Sequence, residues 1–161
     1  MKEEFPYQND PAFTPEHNAK GCYFQVIAKI AWNEGAFRPI NLREEIRRIA
    51  DLCMAEGYMR KDFKVLAPNE VFLAFGLIVE YTDKWEKPDR VCGPEEREAL
   101  RMYYDNETAE TEDDKWHFVE GDGQSNCEWD PWEGGSVTAA KGIVVDKRIF
   151  RIMGTVREVA A

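Results

Sequence analysis

The chain reads as a single α+β domain, an N-terminal central helix packed against a C-terminal antiparallel β-sheet, and three observations predict it. Residues 22–34, Cys-Tyr-Phe-Gln-Val-Ile-Ala-Lys-Ile-Ala-Trp-Asn-Glu, are apolar on most sides, as befits a helix buried on nearly all faces. Residues 41–53 carry one apolar stripe at helical spacing, and from residue 77 short apolar runs are separated by turn residues. Helices in one half and strands in the other fit a sheet laid on a central helix.

With 161 residues and no internal repeat, the chain is sized for one core, so residues 1–161 form one domain in this reading. Residues 1–21 hold Pro6, Pro11, Pro15 and Gly21 without periodicity, which predicts an extended lead-in with no helix. Residues 22–57 are expected to be helical. Gly35 is placed to cap the first helix in the left-handed conformation. Asn41 is placed to cap the second, with Glu44 three residues on as in a capping box. Leu42, Ile46, Ile49, Ala50 and Cys53 form its apolar stripe and Gly57 ends it.

Residues 71–75, opened by Pro68, fit helix or strand equally, and Leu77 to Tyr81 has strand character. Residues 77–152 are expected to be mainly sheet. Residues 107–114 are almost wholly acidic and polar, which predicts a solvated loop. Trp116 to Val119, a turn at 121–123 and Cys127 to Trp129 read as a hairpin with a longer loop. Two more short strands are expected at 142–145 and 148–152.

Hydrophobic residues make up 43% and charged residues 32%, the balance of a globular chain rather than a disordered one. A net charge of −10 opposes the phosphate neutralisation that nucleic-acid binding needs, so no nucleic acid is expected as partner. No window approaches the length of a membrane span and the start lacks a signal-peptide core, so a cytoplasmic location without membrane attachment is expected.

The four cysteines, at 22, 53, 92 and 127, form no CxxC pair and read as free thiols. With only His17 and His117, candidates for a general base are few. Neither a cofactor nor a metal is expected.

Cys22 follows Gly21 at the head of the first helix, where unpaired N–H groups and the helix dipole lower a thiol's pKa. Taken alone, such a Cys is more often a small core residue than a catalyst. His117 sits mid-strand between Trp116 and Phe118, a place that calls for a hydrogen-bonding partner or a cleft. Asp130-Pro131-Trp132 ends the following strand, so a hairpin would bring the carboxylate beside His117; by itself an Asp-Pro pair can simply start a turn.

In order, Tyr7-Gln8-Asn9-Asp10-Pro11, Gly21-Cys22-Tyr23-Phe24, His117-Phe118-Val119 and Asp130-Pro131-Trp132 with Gly134-Gly135 resemble papain-like peptidases related to bacteriocin-processing, double-glycine leader peptidases. The resemblance spans about Tyr7 to Ile152 and implies a papain-like fold. It further implies that Cys22 attacks, His117 acts as base and then acid, Asp130 orients His117, and Gln8 with the Cys22 N–H holds the oxyanion. Two departures stand out: Gln8 precedes Cys22 by fourteen residues, further than in bacteriocin processors, and Tyr23-Phe24 replaces small residues. Within this branch the chain looks like uncharacterised papain-like proteins encoded by phages, prophages and plasmids.

The expected activity is cysteine-dependent cleavage of a peptide or amide bond, with a peptide or protein as partner. Trp132, beside Asp130, is a candidate wall for substrate; Met54, Met59, Trp85 and Trp129 are expected to belong to the core or to line a cleft wall. Specificity is expected from 85–114 and the loop 121–126. Three other readings compete: a papain-like binding protein without turnover, a cell-wall peptide hydrolase, which the anionic charge opposes, and a zinc site of Cys22, His117, Cys127 and Asp130. Oligomeric state and substrate do not follow from the sequence.

Overall fold

The computed structural model describes residues 4–81 and 84–157. Its elements are α1 (Pro15–Lys20), α2 (Cys22–Asn33), α3 (Leu42–Ala55), α4 (Pro68–Ala74), β1 (Leu77–Glu80), β2 (Glu96–Tyr103), β3 (Trp116–Gly121), β4 (Cys127–Trp129), α5 (Val137–Lys141) and β5 (Ile143–Thr155). The strands form one sheet in the order β1-β5-β2-β3-β4, every neighbouring pair antiparallel. The expected α+β layering is present.

Helix α2 is the hub. Phe24, Val26, Ile27, Ala28 and Ala31 are fully buried, and Ala99 of β2 and Phe150 of β5 belong to the same core. Removing a side chain such as Phe24 or Ile27 from water contributes about 1.5–3 kcal/mol, an upper figure because unfolded chains are partly collapsed. Strand alternation then turns Glu98, Leu100 and Met102 to the opposite face, where Leu100, Met102 and Val119 make a smaller core with Ala139 of α5.

Several local expectations hold. Asn41 caps α3, its side chain accepting from Glu44 N at 3.1 Å, and Gly35 and Gly57 adopt the left-handed backbone after α2 and α3. Residues 107–114 are loop with one 3-10 turn at Asp113–Lys115.

Others do not. The lead-in contains a helix, α1, because Thr14 accepts from His17 N at 3.2 Å and Pro15 stands in the first turn, where its fixed φ helps and its missing N–H costs nothing. Residues 1–3 of the lead-in lie outside the described residues. Residues 71–75 fall in α4 and its cap, again with a first-turn proline. The two short strands expected at 142–145 and 148–152 are one, β5, since Asp146 and Lys147 between them are paired rather than turned out.

Strand β2 was not expected, for Glu-Arg-Glu-Ala-Leu-Arg-Met-Tyr lacks β-branched residues. Tertiary pairing decides it: Arg101 holds Asp146 through two bonds of 2.8 and 2.6 Å, Arg97 holds Glu34, and Glu98 holds Lys147 at 2.6 Å. Helix α5 was also unexpected, and Ser136 caps it, accepting from Ala139 N at 3.0 Å.

Candidate active site

The position of Cys22 follows from Gly21. Gly21 N donates to His17 O at 2.9 Å and so closes α1, while Gly21 O accepts from Gln25 N at 2.9 Å and so opens α2. A Cβ at residue 21 would stand 2.5 Å from both the His17 ring and its carbonyl oxygen, so no side chain fits where the two helices meet. Lacking a side chain, Gly21 also gives α2 no side-chain cap, and the positive end of the helix is left to Cys22.

The sheet supplies the partner. Strand β4 pairs with β3 only at Glu120–Gly121, so the edge of β3 at His117 and Phe118 is open to the head of α2. There the Phe118 N–H reaches the Cys22 sulfur and the Phe118 ring stacks on Tyr23 with centroids 4.3 Å apart. The Cys22 thiol and the His117 imidazole face each other closely enough for each to shift the other's proton affinity. His117 Nε2 meets Asp130 Oδ1 at 2.7 Å, which leaves Nδ1 for the thiol.

Asp130 is held from behind. Its Oδ1 also accepts from Trp132 N at 3.0 Å, and its Oδ2 accepts from Ser136 N at 2.7 Å and Ser136 Oγ at 2.8 Å. The three side chains expected from the sequence therefore come together, with His117 between the thiol and the carboxylate.

The electrostatics follow from these contacts. Burial raises the Cys22 thiol, but the hydrogen bond and charge of His117, with N–H groups of Phe118 and Tyr23, outweigh it and bring the thiol below its ordinary value. For His117, burial favours the neutral ring, yet the bonds to Asp130 and Cys22 raise it to about 9. Asp130 is pushed up by burial and pulled down further by His117 and by Ser136 and Trp132 N–H groups, so it stays ionised. Between the lowered thiol and the raised imidazole lies a range in which the pair is thiolate and imidazolium.

The other thiols differ. Burial first, then nearby carboxylates, holds Cys92 near 12 and Cys127 near 11, and burial alone holds Cys53 near 11. The second histidine, His17, is 1% exposed, bonded through Nε2 to Gln25 Oε1 at 2.7 Å, and lowered by burial to about 4. It is a neutral packing residue between Phe13 and Phe63.

Gln8 lies beside the site. Its backbone N donates to Pro131 O at 2.7 Å, directly after Asp130, and its Nε2 donates to Asn18 O at 3.1 Å. Trp132 is 37% exposed, and what ties it to Asp130 is its backbone N–H. Ser136 and Asn18 were missed by sequence reasoning; for Ser136 the signal was a capping serine ahead of Val-Thr-Ala-Ala, six residues after Asp130.

Two concave sites lie away from the triad. One, of about 150 Å3, borders His17, Arg47 and Phe63; the other, of about 370 Å3, borders Glu34, Arg97, Glu120 and Asp122. Among the described residues, no three His, Cys, Asp or Glu side chains are grouped as ligands of a metal ion, so the zinc reading of Cys22, His117, Cys127 and Asp130 finds no cluster. No described helix is long and apolar enough to cross a membrane. Compared with family models, with curated proteins and with solved structures, the chain finds no match.

Proposed function

We propose that this chain is a cysteine hydrolase of the papain-like type that cleaves a peptide or amide bond. The observation that carries the reading is Cys22 at the uncapped head of α2 facing His117, whose Nε2 is bonded to Asp130 Oδ1 at 2.7 Å. The Cys22 thiolate lone pair forms a C–S bond to the substrate carbonyl carbon while the C=O pair moves onto oxygen. As that oxyanion collapses, His117 gives its proton to the leaving amine and the C–N bond breaks. Water then gives a proton to His117, its oxygen attacks the thioester, and the thiolate departs. Asp130 holds the ring in place throughout and stabilises its charged form.

Gln8 serves as oxyanion donor in this reading, and the break between α1 and α2 supports the role. In a continuous helix the Asn18 carbonyl would accept from Cys22 N–H; here Gln8 Nε2 takes that carbonyl instead. In this reading the Gln8 amide and the nucleophile's own N–H act together on the oxyanion.

Iodoacetamide alkylation at pH 6 with peptide mapping tests the reading. Cys22 should be modified first, ahead of Cys53, Cys92 and Cys127, and His117→Ala should slow it by about 10- to 100-fold. Equal rates in the two proteins would refute an activated thiol. A second reading is a papain-like protein that binds a partner without turnover. A partner retained equally by wild type and Cys22→Ala, with neither cleaving it, would select that reading.

A further inference from the structure

We propose that Asn18 is a positioning residue of this site, aiming the Gln8 amide so that its second N–H and the Cys22 N–H face one oxyanion. The inference rests on the hydrolase reading above and extends it to a residue that touches neither substrate nor nucleophile.

Gln8 is 2% exposed, and its Oε1 is buried without a hydrogen-bond partner. A buried carbonyl oxygen left unpaired costs about 1–3 kcal/mol, so the amide is not held by its own oxygen. What sets its direction is the bond from Nε2 to Asn18 O at 3.1 Å. Turning the amide over would set oxygen against oxygen at Asn18, and that repulsion keeps Nε2 where it is.

Asn18 also fixes the distance. Its Nδ2 donates to Gln8 O at 2.8 Å and to Asp10 O at 3.0 Å, binding the lead-in to α1 at Gln8 and just after it. One residue thus holds Gln8 by main chain and side chain together. Beyond it, the lead-in is anchored by Gln25, whose Nε2 donates to Pro6 O at 2.7 Å, and by Gln8 N on Pro131 O at 2.7 Å. These anchors do not touch the Gln8 amide, so its aim depends on Asn18.

The assignment separates two reactions of the same sulfur. Alkylation by iodoacetamide forms a C–S bond and expels iodide without an oxyanion. Acetylation by p-nitrophenyl acetate passes through one: the thiolate pair forms C–S, the carbonyl pair moves to oxygen, then returns as the bond to p-nitrophenolate breaks. Only the second reaction needs Gln8 and Asn18.

The test is a double-mutant cycle on the whole chain with both reagents, with folding checked by circular dichroism. Asn18→Asp, which replaces the two donated bonds by repulsion, should slow acetylation about 10-fold, and Gln8→Ala about 10- to 100-fold. In the Gln8→Ala background, Asn18→Asp should change acetylation less than about 2-fold. Alkylation should stay within about 2-fold in all four proteins. Equal losses in both backgrounds, parallel losses of alkylation, or no loss at all would overturn the assignment. Should Asn18→Asp fail to fold, Asn18→Ala removes the same two bonds without the repulsion and is read by the same criteria. Failure of the hydrolase reading looks different: wild type itself would alkylate Cys22 no faster than His117→Ala does.

Discussion

Two buried pairs of ionisable side chains, one within the sheet and one between the sheet and α2, are finished differently. Glu98 and Lys147, 0% exposed at both side chains, meet at 2.6 Å in its middle. Every oxygen of that carboxylate is occupied: Cys92 Sγ at 3.4 Å shares Oε1 with Lys147, while Gly123 N and Ser125 N, both at 2.9 Å, take Oε2. Ser125 Oγ further accepts from Lys147 Nζ at 2.8 Å and donates to Pro88 O at 2.5 Å. The pair therefore binds the 84–93 and 121–126 loops to the sheet. At Cys22 and His117 the carboxylate behind is just as saturated, but the thiol in front is half-buried and the neighbouring Gln8 oxygen has no partner. The pair that holds structure is closed on all sides, whereas the pair proposed to do chemistry keeps one side unfinished.

The sharpest way to break the comparison is to remove one member of each. Lys147→Met leaves a buried carboxylate without its cation and should cost about 3–5 kcal/mol in urea unfolding. Cys22→Ala removes a thiol whose charge is stabilised for reaction, and should change stability by less than about 1 kcal/mol. Equal costs would show that the second pair is structural too.

Titration comes next. His117 is raised above the usual 6.5, so the stability linked to its charge is complete below that value and is lost as pH rises through about 9. Cys22 is lowered, so its contribution holds above the ordinary thiol range and is lost as pH falls through its folded value. Acyl transfer from an amide to Cys22 should therefore decline above pH about 9, where the imidazolium is spent. Asp130→Asn should move that limb down toward the ordinary histidine range and slow p-nitrophenyl acetate acylation by about 10- to 100-fold. A limb left at about 9 would remove Asp130 from its role.

The smallest effect belongs to Ser136, which serves both stability and the site. Ser136→Ala should cost about 1 kcal/mol through loss of the α5 cap. It should also move the alkaline limb slightly downward, because Asp130 loses one of its donors, and Ser136→Thr should restore both. A stability loss with an unmoved limb would confine Ser136 to capping.

What was legible in the sequence was whatever is written in local pattern. The apolar turns of α2, the Asn41 cap and the strand around His117 announce themselves, and Cys22, His117 and Asp130 do meet as expected. Strand β2 and the middle of β5 stayed hidden, because their charged residues are matched by partners about 45 to 50 positions away, as in Arg101 with Asp146 and Glu98 with Lys147. Asn18 stayed hidden for a related reason: its carbonyl and its amide matter through Gln8, ten residues earlier, and no spacing rule marks such a clasp.

Strand β5 has a mechanical consequence. Residues 143–151 pair with β2, and 151–155 pair with β1, which adjoins α4. It is the rail joining the two ends of the sheet, so β1 hangs from the same thirteen residues that carry Lys147 and Asp146. Loosening its last few residues would unzip the β1 margin first and reach the edge that carries His117 last.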